Sequence, residues 1–251
     1  MSTLSVHLAR WDGAEPAFSA HAHVPHDAAS TIKITVLAAL RGTDPSTPVV
    51  VTDTFPSLVP GRVFAVDPAM DSDPLPWRHH GERAPLGWLA ERMITHSSNL
   101  ATNLCAHHVG LAAVADAWRA AAPSSPGMQR LIEDYEAKRA GIDNTVTAAD
   151  LAAVLRTLQP PELEVLARNA YRVDLAAGLP AGTWIGFKNG WFPGLRHSVG
   201  LVRPGDAPAY VLAICYTGPL ANGGDCHDPA AGLLARLSTT AWEHRHQLPD
   251  S

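Results

Sequence analysis

The first part of the chain alternates between apolar and polar residues. In residues 4–10, apolar side chains fall on one face and polar or small side chains on the other, which is the period of a half-buried β-strand. Residues 17–24 alternate in the same way after an Asp-Gly turn. The two segments predict a β-hairpin near the start of the chain.

Helices are predicted through the middle of the chain. Asp27 is a favourable N-cap for the first of them, and Thr147 with Asp150 forms a capping-box pattern at the start of a later one. Residues 43–87 are rich in proline, and a long loop region of this kind often lines a functional cleft. The predicted helices span residues 28–40, 86–94, 100–108, 111–122, 147–158 and 161–170.

Strands return at the end of the chain, before one last helix. Their apolar runs are separated by turns that contain Pro-Gly pairs. The predicted strands span residues 183–187, 198–202 and 210–216, and the predicted helix spans residues 229–244.

This order of elements predicts an α+β fold. Because strands lie at both ends and helices between them, the simplest packing is one antiparallel sheet built from both termini with a helical insertion beside it. We predict that residues 1–45 and 178–251 form the sheet subdomain and that residues 46–177 form the helical subdomain. The two subdomains are expected to interlock as a single domain.

Composition narrows the classes of partner. A net charge of −5 over 251 residues, with no basic run, disfavours nucleic acid or an anionic membrane as the main partner. No apolar run approaches the ~20 residues of a membrane span. The first residues lack the pattern of a secretory signal, so we expect a cytoplasmic protein with a small-molecule substrate. Oligomeric state cannot be predicted from these features.

Cofactor and metal chemistry is not predicted either. The three cysteines contain no Cys-x-x-Cys pair, and the thirteen histidines contain no His-Glu-x-x-His spacing. We therefore expect no metal and no organic cofactor.

Lysine is rare in this chain, and its positions are informative. Only three of the nineteen basic residues are lysines. A buried lysine can lose its proton and act as a base, whereas arginine cannot. In Ser30-Thr31-Ile32-Lys33, a helix would place Ser30 and Lys33 on one face, where Lys33 could activate the Ser30 hydroxyl as a nucleophile. The first helical turn also favours developing negative charge.

Two further motifs carry candidate chemistry. Ser97-Ser98-Asn99 lies between two predicted helices, where it could present hydroxyls and an amide to a cleft, cap the next helix, or do both. Lys188 lies among aromatic residues within a strand, where burial would be costly without a specific role. The alternative is a lysine on an edge strand with access to solvent. Gly190 permits close approach to the backbone.

Taken together, the three motifs resemble a known set. Their order matches the Ser-x-x-Lys, Ser-x-Asn and Lys-x-Gly motifs of class A β-lactamases and penicillin-binding proteins. The similarity continues through residues 92–104, which include Asn103, through residues 144–151, and through residues 193–197. The chain thus resembles the class A β-lactamase-like serine hydrolases from its first strand to its last helix. This resemblance implies a β-lactamase/transpeptidase-like α+β fold.

The resemblance also implies a set of catalytic residues. Ser30 would be the acylated nucleophile and Lys33 its general base. Ser97 would pass a proton to the leaving nitrogen. Lys188 would supply positive potential for Ser97 and for an anionic group of the substrate.

A second set would bind the substrate. Asn99 would hydrogen-bond the amide carbonyl of the substrate, and the backbone N–H groups of Ser30 and Trp191 would form the oxyanion hole. Asn189 and Gly190 complete the predicted binding strand.

The sequence departs from the family pattern at three places. Ser98 stands where the family has Asp, and Asn189 stands where a Thr or Ser hydroxyl helps to bind a substrate carboxylate. The Glu that drives deacylation in class A β-lactamases would fall near Leu131, which is not an acid. Glu133 is the best substitute if the loop is shifted. The alternative is that Glu133 and its acidic neighbours form a solvated helix face.

These features predict a serine hydrolase that forms an acyl-Ser30 intermediate on an amide or ester. Three activities fit the sequence. The protein could hydrolyse β-lactams, act on a different amide or ester as a hydrolase or acyltransferase, or bind β-lactams or peptides as an acyl-enzyme that stalls.

Overall fold

The computed structural model describes residues 2–13, 15–121 and 123–249. The strands are β1 Thr3–Arg10, β2 Phe18–Ala20, β3 His26–Asp27, β4 Pro48–Val50, β5 Thr54–Pro56, β6 Val63–Ala65, β7 Arg83–Pro85, β8 Thr145–Val146, β9 Trp184–Phe192, β10 Leu195–Arg203 and β11 Tyr210–Thr217. The helices are α1 Lys33–Ala39, α2 Leu86–Thr95, α3 Asn99–Val109, α4 Leu111–Arg119, α5 Tyr135–Arg139, α6 Ala148–Thr157, α7 Pro160–Ala167 and α8 Pro229–Glu243.

One five-stranded antiparallel sheet combines both ends of the chain, as the sequence predicts. Its strand order is β2-β1-β11-β10-β9. Both faces of the sheet are covered. Val211 and Ala213 of β11 pack into a core shared with α1 and α6, whereas Leu212 and Ile214 pack toward α8. The subdomain boundaries stay a prediction.

Helix α1 is the central helix of the helical side. Apart from its first residue, it consists of small, apolar and β-branched side chains, so that no face of the helix is suited to water. It packs against α2, α3, α4 and α6. This position places Lys33 at the N-terminal end of a buried helix, beneath the end of β9.

Several predicted boundaries are wrong. The expected helix over residues 28–40 is a 3₁₀ turn at Ala29–Ile32 that continues into α1. Asp27 is not its N-cap and lies in β3, although its Oδ1 accepts the Ala29 N–H at 3.2 Å. The predicted strand over residues 183–187 continues to Phe192 because its polar residues are hydrogen-bonded rather than solvated.

Smaller differences affect the edges of other elements. Only Phe18–Ala20 of residues 17–24 forms a strand, α7 begins and ends earlier than predicted, and α4 ends at Arg119. Residue 122, the predicted end of α4, lies outside the described residues. The short helix α5 was not predicted. No described helix combines the length and the apolar character that crossing a bilayer requires.

Candidate active site

A single cleft brings most of the sequence-predicted residues together. Its volume is about 180 Å³, and it lies between the end of β9, the start of α3 and the 3₁₀ turn that carries Ser30. The predicted residues that line it are Ser30, Ser97, Asn99, Glu133, Gly190 and Trp191. Lys33 and Lys188 are completely buried and reach the cleft only through Ser97 and Asn99.

Two lysines converge on one hydroxyl. Lys33 Nζ lies 3.2 Å from Ser97 Oγ, and Lys188 Nζ lies 3.0 Å from the same oxygen. Lys33 also donates to the Ser97 carbonyl at 2.6 Å and to Asn99 Oδ1 at 2.9 Å, while Lys188 donates to the Asn189 carbonyl at 2.7 Å. A hydroxyl can both donate and accept, so Ser97 can carry a proton between either amine and a substrate.

Burial favours the neutral form of both amines. It lowers the pKa of Lys33 to about 7, against the opposing influence of Asp71 and Glu133. Burial also places the pKa of Lys188 well below its ordinary value, with a further lowering from the nearby Lys33. A substantial fraction of Lys33 is therefore free to accept a proton at neutral pH. Lys188 lies on an edge strand, but the alternative of a solvated lysine is wrong.

Ser30 lies on a well-anchored turn. The Ala28 N–H donates to the carbonyl of Asn144, the residue before β8 (2.9 Å), and His197 Nε2 of β10 hydrogen-bonds the Asp27 carbonyl (2.8 Å). No hydrogen bond joins Ser30 Oγ to Lys33 or to any other described residue. The position of Ser30 is thus fixed by its backbone, and its hydroxyl faces the cleft.

Gly190 allows β9 to pass directly beside this turn. A Cβ atom on Gly190 would lie 2.5 Å from the Ser30 nitrogen and 3.0 Å from the Thr31 nitrogen. Any larger residue would push the strand away from Ser30. The close approach brings the Ser30 N–H next to the segment that carries Trp191, which is the arrangement that an oxyanion hole needs.

Backbone strain is concentrated in this cleft. Among the described residues other than glycine, five have positive φ, and three of these line the cleft: Ala29 (43°), Ser97 (57°) and Glu133 (66°). Each such conformation costs on the order of 1–2 kcal/mol. Strain of this kind persists where the surrounding contacts hold it, and it is common at functional sites.

The left-handed backbone at Glu133 turns its carboxylate into the cleft. Glu133 Oε1 accepts from Asn99 Nδ2 at 3.1 Å, and Oε2 accepts from the Asp67 N–H at 2.9 Å. Burial raises the pKa of Glu133, which the two hydrogen bonds oppose. The alternative of a solvated helix face is wrong for Glu133 and for its neighbour Asp134, since only 7% and 1% of their surfaces are exposed.

Asn189 does not line the cleft. Its side chain is buried, donates to the Tyr171 carbonyl at 3.1 Å and accepts from Asn169 at 3.3 Å. The expectation that this side chain contacts substrate is therefore not met by the structure. The physical reason is that strand β9 alternates, so that Asn189 points to the opposite side from Lys188 and Gly190.

An acid that the sequence did not reveal compensates for the substitution at Ser98. Ser98 is the N-cap of α3, and its Oγ donates to Asp71 Oδ2 at 3.0 Å. Asp71 also accepts the backbone N–H groups of Asn99 (3.0 Å) and Leu100 (2.9 Å) and the Trp77 indole N–H (3.0 Å). A carboxylate from a distant loop thus occupies the N-terminus of α3, where negative charge is favourable.

We expect Asp71→Ala to lower the acylation rate because Asn99 loses the partner that fixes its backbone. A shift of Asn99 by about 1 Å can reduce the rate by about 10²-fold. Adding Ser98→Asp should restore part of the rate, since aspartate at an N-cap accepts from the second or third N–H group of the helix, and the Leu100 N–H is one of the two that Asp71 holds. Acylation rates and melting temperatures of both variants and of Ser98→Asp alone are the measurements. A loss of melting temperature without loss of rate would contradict the positioning role.

No group of three or more His, Cys, Asp or Glu side chains in the described part of the chain could hold a metal ion. Cys105 and Cys215 are buried and unpaired, and burial raises the pKa of both thiols. Neither is poised for thiolate chemistry.

The fold matches solved structures of β-lactamases. A β-lactamase from Xanthomonas campestris has a TM-score of 0.77 at 18% identity, covering 98% of this chain and 92% of that one. PBP-A has a TM-score of 0.75 at 19% identity, with coverages of 96% and 90%. A mutant of the class A β-lactamase of the last common ancestor of Gram-negative bacteria has a TM-score of 0.77 at 22% identity, with coverages of 98% and 95%. No curated protein matches the chain.

The fold is therefore that of the class A β-lactamases and of PBP-A. The family model for the β-lactamase enzyme family matches residues 2–245. The chain belongs to this family, which confirms the resemblance that its motifs predict.

Proposed function

We propose that this protein is a serine hydrolase that forms an acyl-Ser30 intermediate on an amide or ester substrate. The observation that carries the proposal is the convergence of two buried lysines on Ser97 in the cleft that exposes Ser30. Burial of two amines and a strained backbone both cost free energy of folding. Acid–base chemistry at a nucleophile would explain why the fold retains them.

Acylation follows from the geometry. Ser30 Oγ attacks the carbonyl carbon of the substrate, and its proton passes to the neutral amine of Lys33. The contact between Ser30 and Lys33 forms with substrate in place, since catalytic hydrogen bonds tighten in the reactive complex. The backbone N–H groups of Ser30 and Trp191 hold the oxyanion. As the bond to the leaving nitrogen or oxygen breaks, that atom takes a proton from Ser97, and Lys33 returns one to Ser97.

Asn99 supports the same step. Its amide oxygen accepts from Lys33 and its amide nitrogen donates to Glu133, so it links the base of acylation to the carboxylate that acts as the base of deacylation. In that step Glu133 takes a proton from water, the water oxygen attacks the acyl carbon, and the proton returns to Ser30 Oγ as the acid product leaves.

We expect Glu133→Gln to slow deacylation and leave acylation intact. Removal of a general base costs about 10²–10⁴-fold, so the acyl-enzyme should accumulate in the variant. The measurement is the acylated fraction by intact-protein mass spectrometry during turnover. Glu136→Gln, which changes a nearby carboxylate paired with Arg139, is the matched control. An unchanged acylated fraction in Glu133→Gln would assign deacylation to another group.

The test of the proposed function combines turnover and adduct formation. Nitrocefin is supplied to the wild-type protein, and its hydrolysis is followed beside the protein mass. Sustained hydrolysis identifies a β-lactamase, whereas a persistent adduct on Ser30 identifies a stalled acyl-enzyme. If nitrocefin is neither hydrolysed nor bound, but a simple activated ester is hydrolysed in a reaction that depends on Ser30, the protein is a hydrolase of other amides or esters. Absence of any chemistry at Ser30 contradicts the proposal.

A further inference from the structure

Apolar side chains are gathered at the mouth of the cleft. Eight large apolar side chains are exposed in the described part of the chain, and three of them line this one cleft: Met70, Tyr135 and Phe192, with exposures of 48%, 46% and 48%. Trp191 continues the apolar wall inward, packed edge-to-face on Tyr171 with ring centroids 5.4 Å apart. Burial of such surface against an apolar group is favourable at about 25 cal/mol per Å².

The basic residues of the lining already have partners. Lys138 pairs with Asp27 Oδ2 at 3.0 Å. Arg130 is buried and donates to the carbonyls of Ile142 (2.9 Å) and Leu131 (3.2 Å). Two carboxylates, Asp27 and Glu133, also line the cleft. An anionic substrate would therefore find no unpaired basic side chain among the described residues that line the cleft.

The strand beside Ser30 offers no anion site either. The amide of Asn189 is held inside the protein, as described above. Arg196, which stacks on the Trp191 ring at 4.8 Å, is completely buried between Asp174 (2.5 Å) and Asp228 (3.1 Å). Lys188 is hydrogen-bonded to Ser97 Oγ and to the Asn189 carbonyl.

We propose that the cleft selects a neutral substrate with an apolar group beside the scissile amide or ester, and that a carboxylate at this place is not required. The apolar group packs against Met70, Tyr135 and Phe192, and the scissile carbonyl lies over Ser30. This inference rests on the proposed acylation of Ser30.

The first test is a chain-length series. The protein is given p-nitrophenyl acetate, butyrate and hexanoate, and the rate of Ser30→Ala is subtracted. We expect kcat/KM to rise by about fourfold for each methylene that the apolar wall buries. Phe192→Ser should flatten this dependence. Val50→Ser removes an equally exposed apolar side chain (48%) outside the cleft and should leave this dependence unchanged.

The second test isolates charge. Benzylpenicillin and its methyl ester differ only in the carboxylate, and the acylation rate of Ser30 is measured for both by mass spectrometry. We expect the methyl ester to acylate at least as fast as the acid. A faster reaction of the acid, or a flat chain-length series, overturns this inference while the proposed function stands. Loss of all Ser30-dependent chemistry overturns the proposed function itself.

Discussion

Ser30→Ala is expected to abolish turnover and to prevent any covalent adduct. The expected loss in kcat is on the order of 10⁶-fold, as when a serine nucleophile is removed from a hydrolase. The physical reason is that the cleft offers the Ser30 oxygen directly to substrate, next to a strand that approaches its backbone nitrogen as closely as glycine allows. Stopped-flow turnover and intact-protein mass measure the two effects.

The control for this variant is Ser46→Ala. Ser46 lies exposed on a turn outside the cleft, so its loss should change neither rate nor adduct. Ser30→Ala should also keep its melting temperature within a degree or two of wild type, because Ser30 Oγ makes no hydrogen bond in the described structure. Turnover retained by a folded Ser30→Ala protein would reject the proposed mechanism as a whole.

Lys33→Met is expected to reduce the acylation rate by about 10²–10⁴-fold, the usual contribution of a general base. Methionine fills a similar volume at the buried start of α1 but cannot accept a proton. The wild-type acylation rate should rise with pH through about 7, because the pKa of Lys33 lies there and only its neutral form is a base. The variant should lose this rise.

The pH profile separates the catalytic role from a structural one. A residue that only supports packing would change the rate by a similar factor at every pH. The double variant Ser30→Ala/Lys33→Met should be no slower than Ser30→Ala, since groups that act as one unit are not additive. An unchanged pH dependence in Lys33→Met would show that Lys33 is not the base.

Lys33 also makes a prediction about stability with a defined sign. Its folded-state pKa of about 7 lies below the ordinary lysine value of 10.5, so the unfolded chain binds more protons between these values. The contribution of Lys33 to stability therefore increases as pH rises from about 7 toward 10.5 and is least favourable below 7. A series of melting temperatures for wild type and Lys33→Met checks this: their difference should shift in favour of wild type as the pH rises.

The sequence was sufficient to predict the sheet and to single out two lysines that the structure buries beside Ser97. Strand β11 and the second half of β10 are apolar and buried on both faces, and their turns are marked by glycine and proline, so the pattern is strong. Lys33 and Lys188 stood out because lysine is rare in this chain and both occur in apolar surroundings. In the folded protein both lysines are completely buried, and this burial lowers the pKa of both amines.

Other parts of the site had no local signal. Asp71 accepts hydrogen bonds from backbone N–H groups and one hydroxyl of a helix that begins far along the chain. Backbone N–H groups occur at almost every residue, so this pairing produces no sequence motif. Glu133 was a candidate only through the family resemblance, and nothing in its local sequence predicts the left-handed backbone that it adopts at the cleft. The 3₁₀ turn at Ser30 was missed because its residues equally suit an α-helix.

The most direct test of the central claim is to locate the acyl group. Wild-type protein is mixed with p-nitrophenyl hexanoate or benzylpenicillin methyl ester, quenched in acid within the first turnovers, digested and mapped by mass spectrometry. Our account predicts one acyl group per chain, on the peptide that contains Ser30 and on the Ser30 oxygen itself. Acylation at a different residue, or turnover during which Ser30 is never modified, would contradict it.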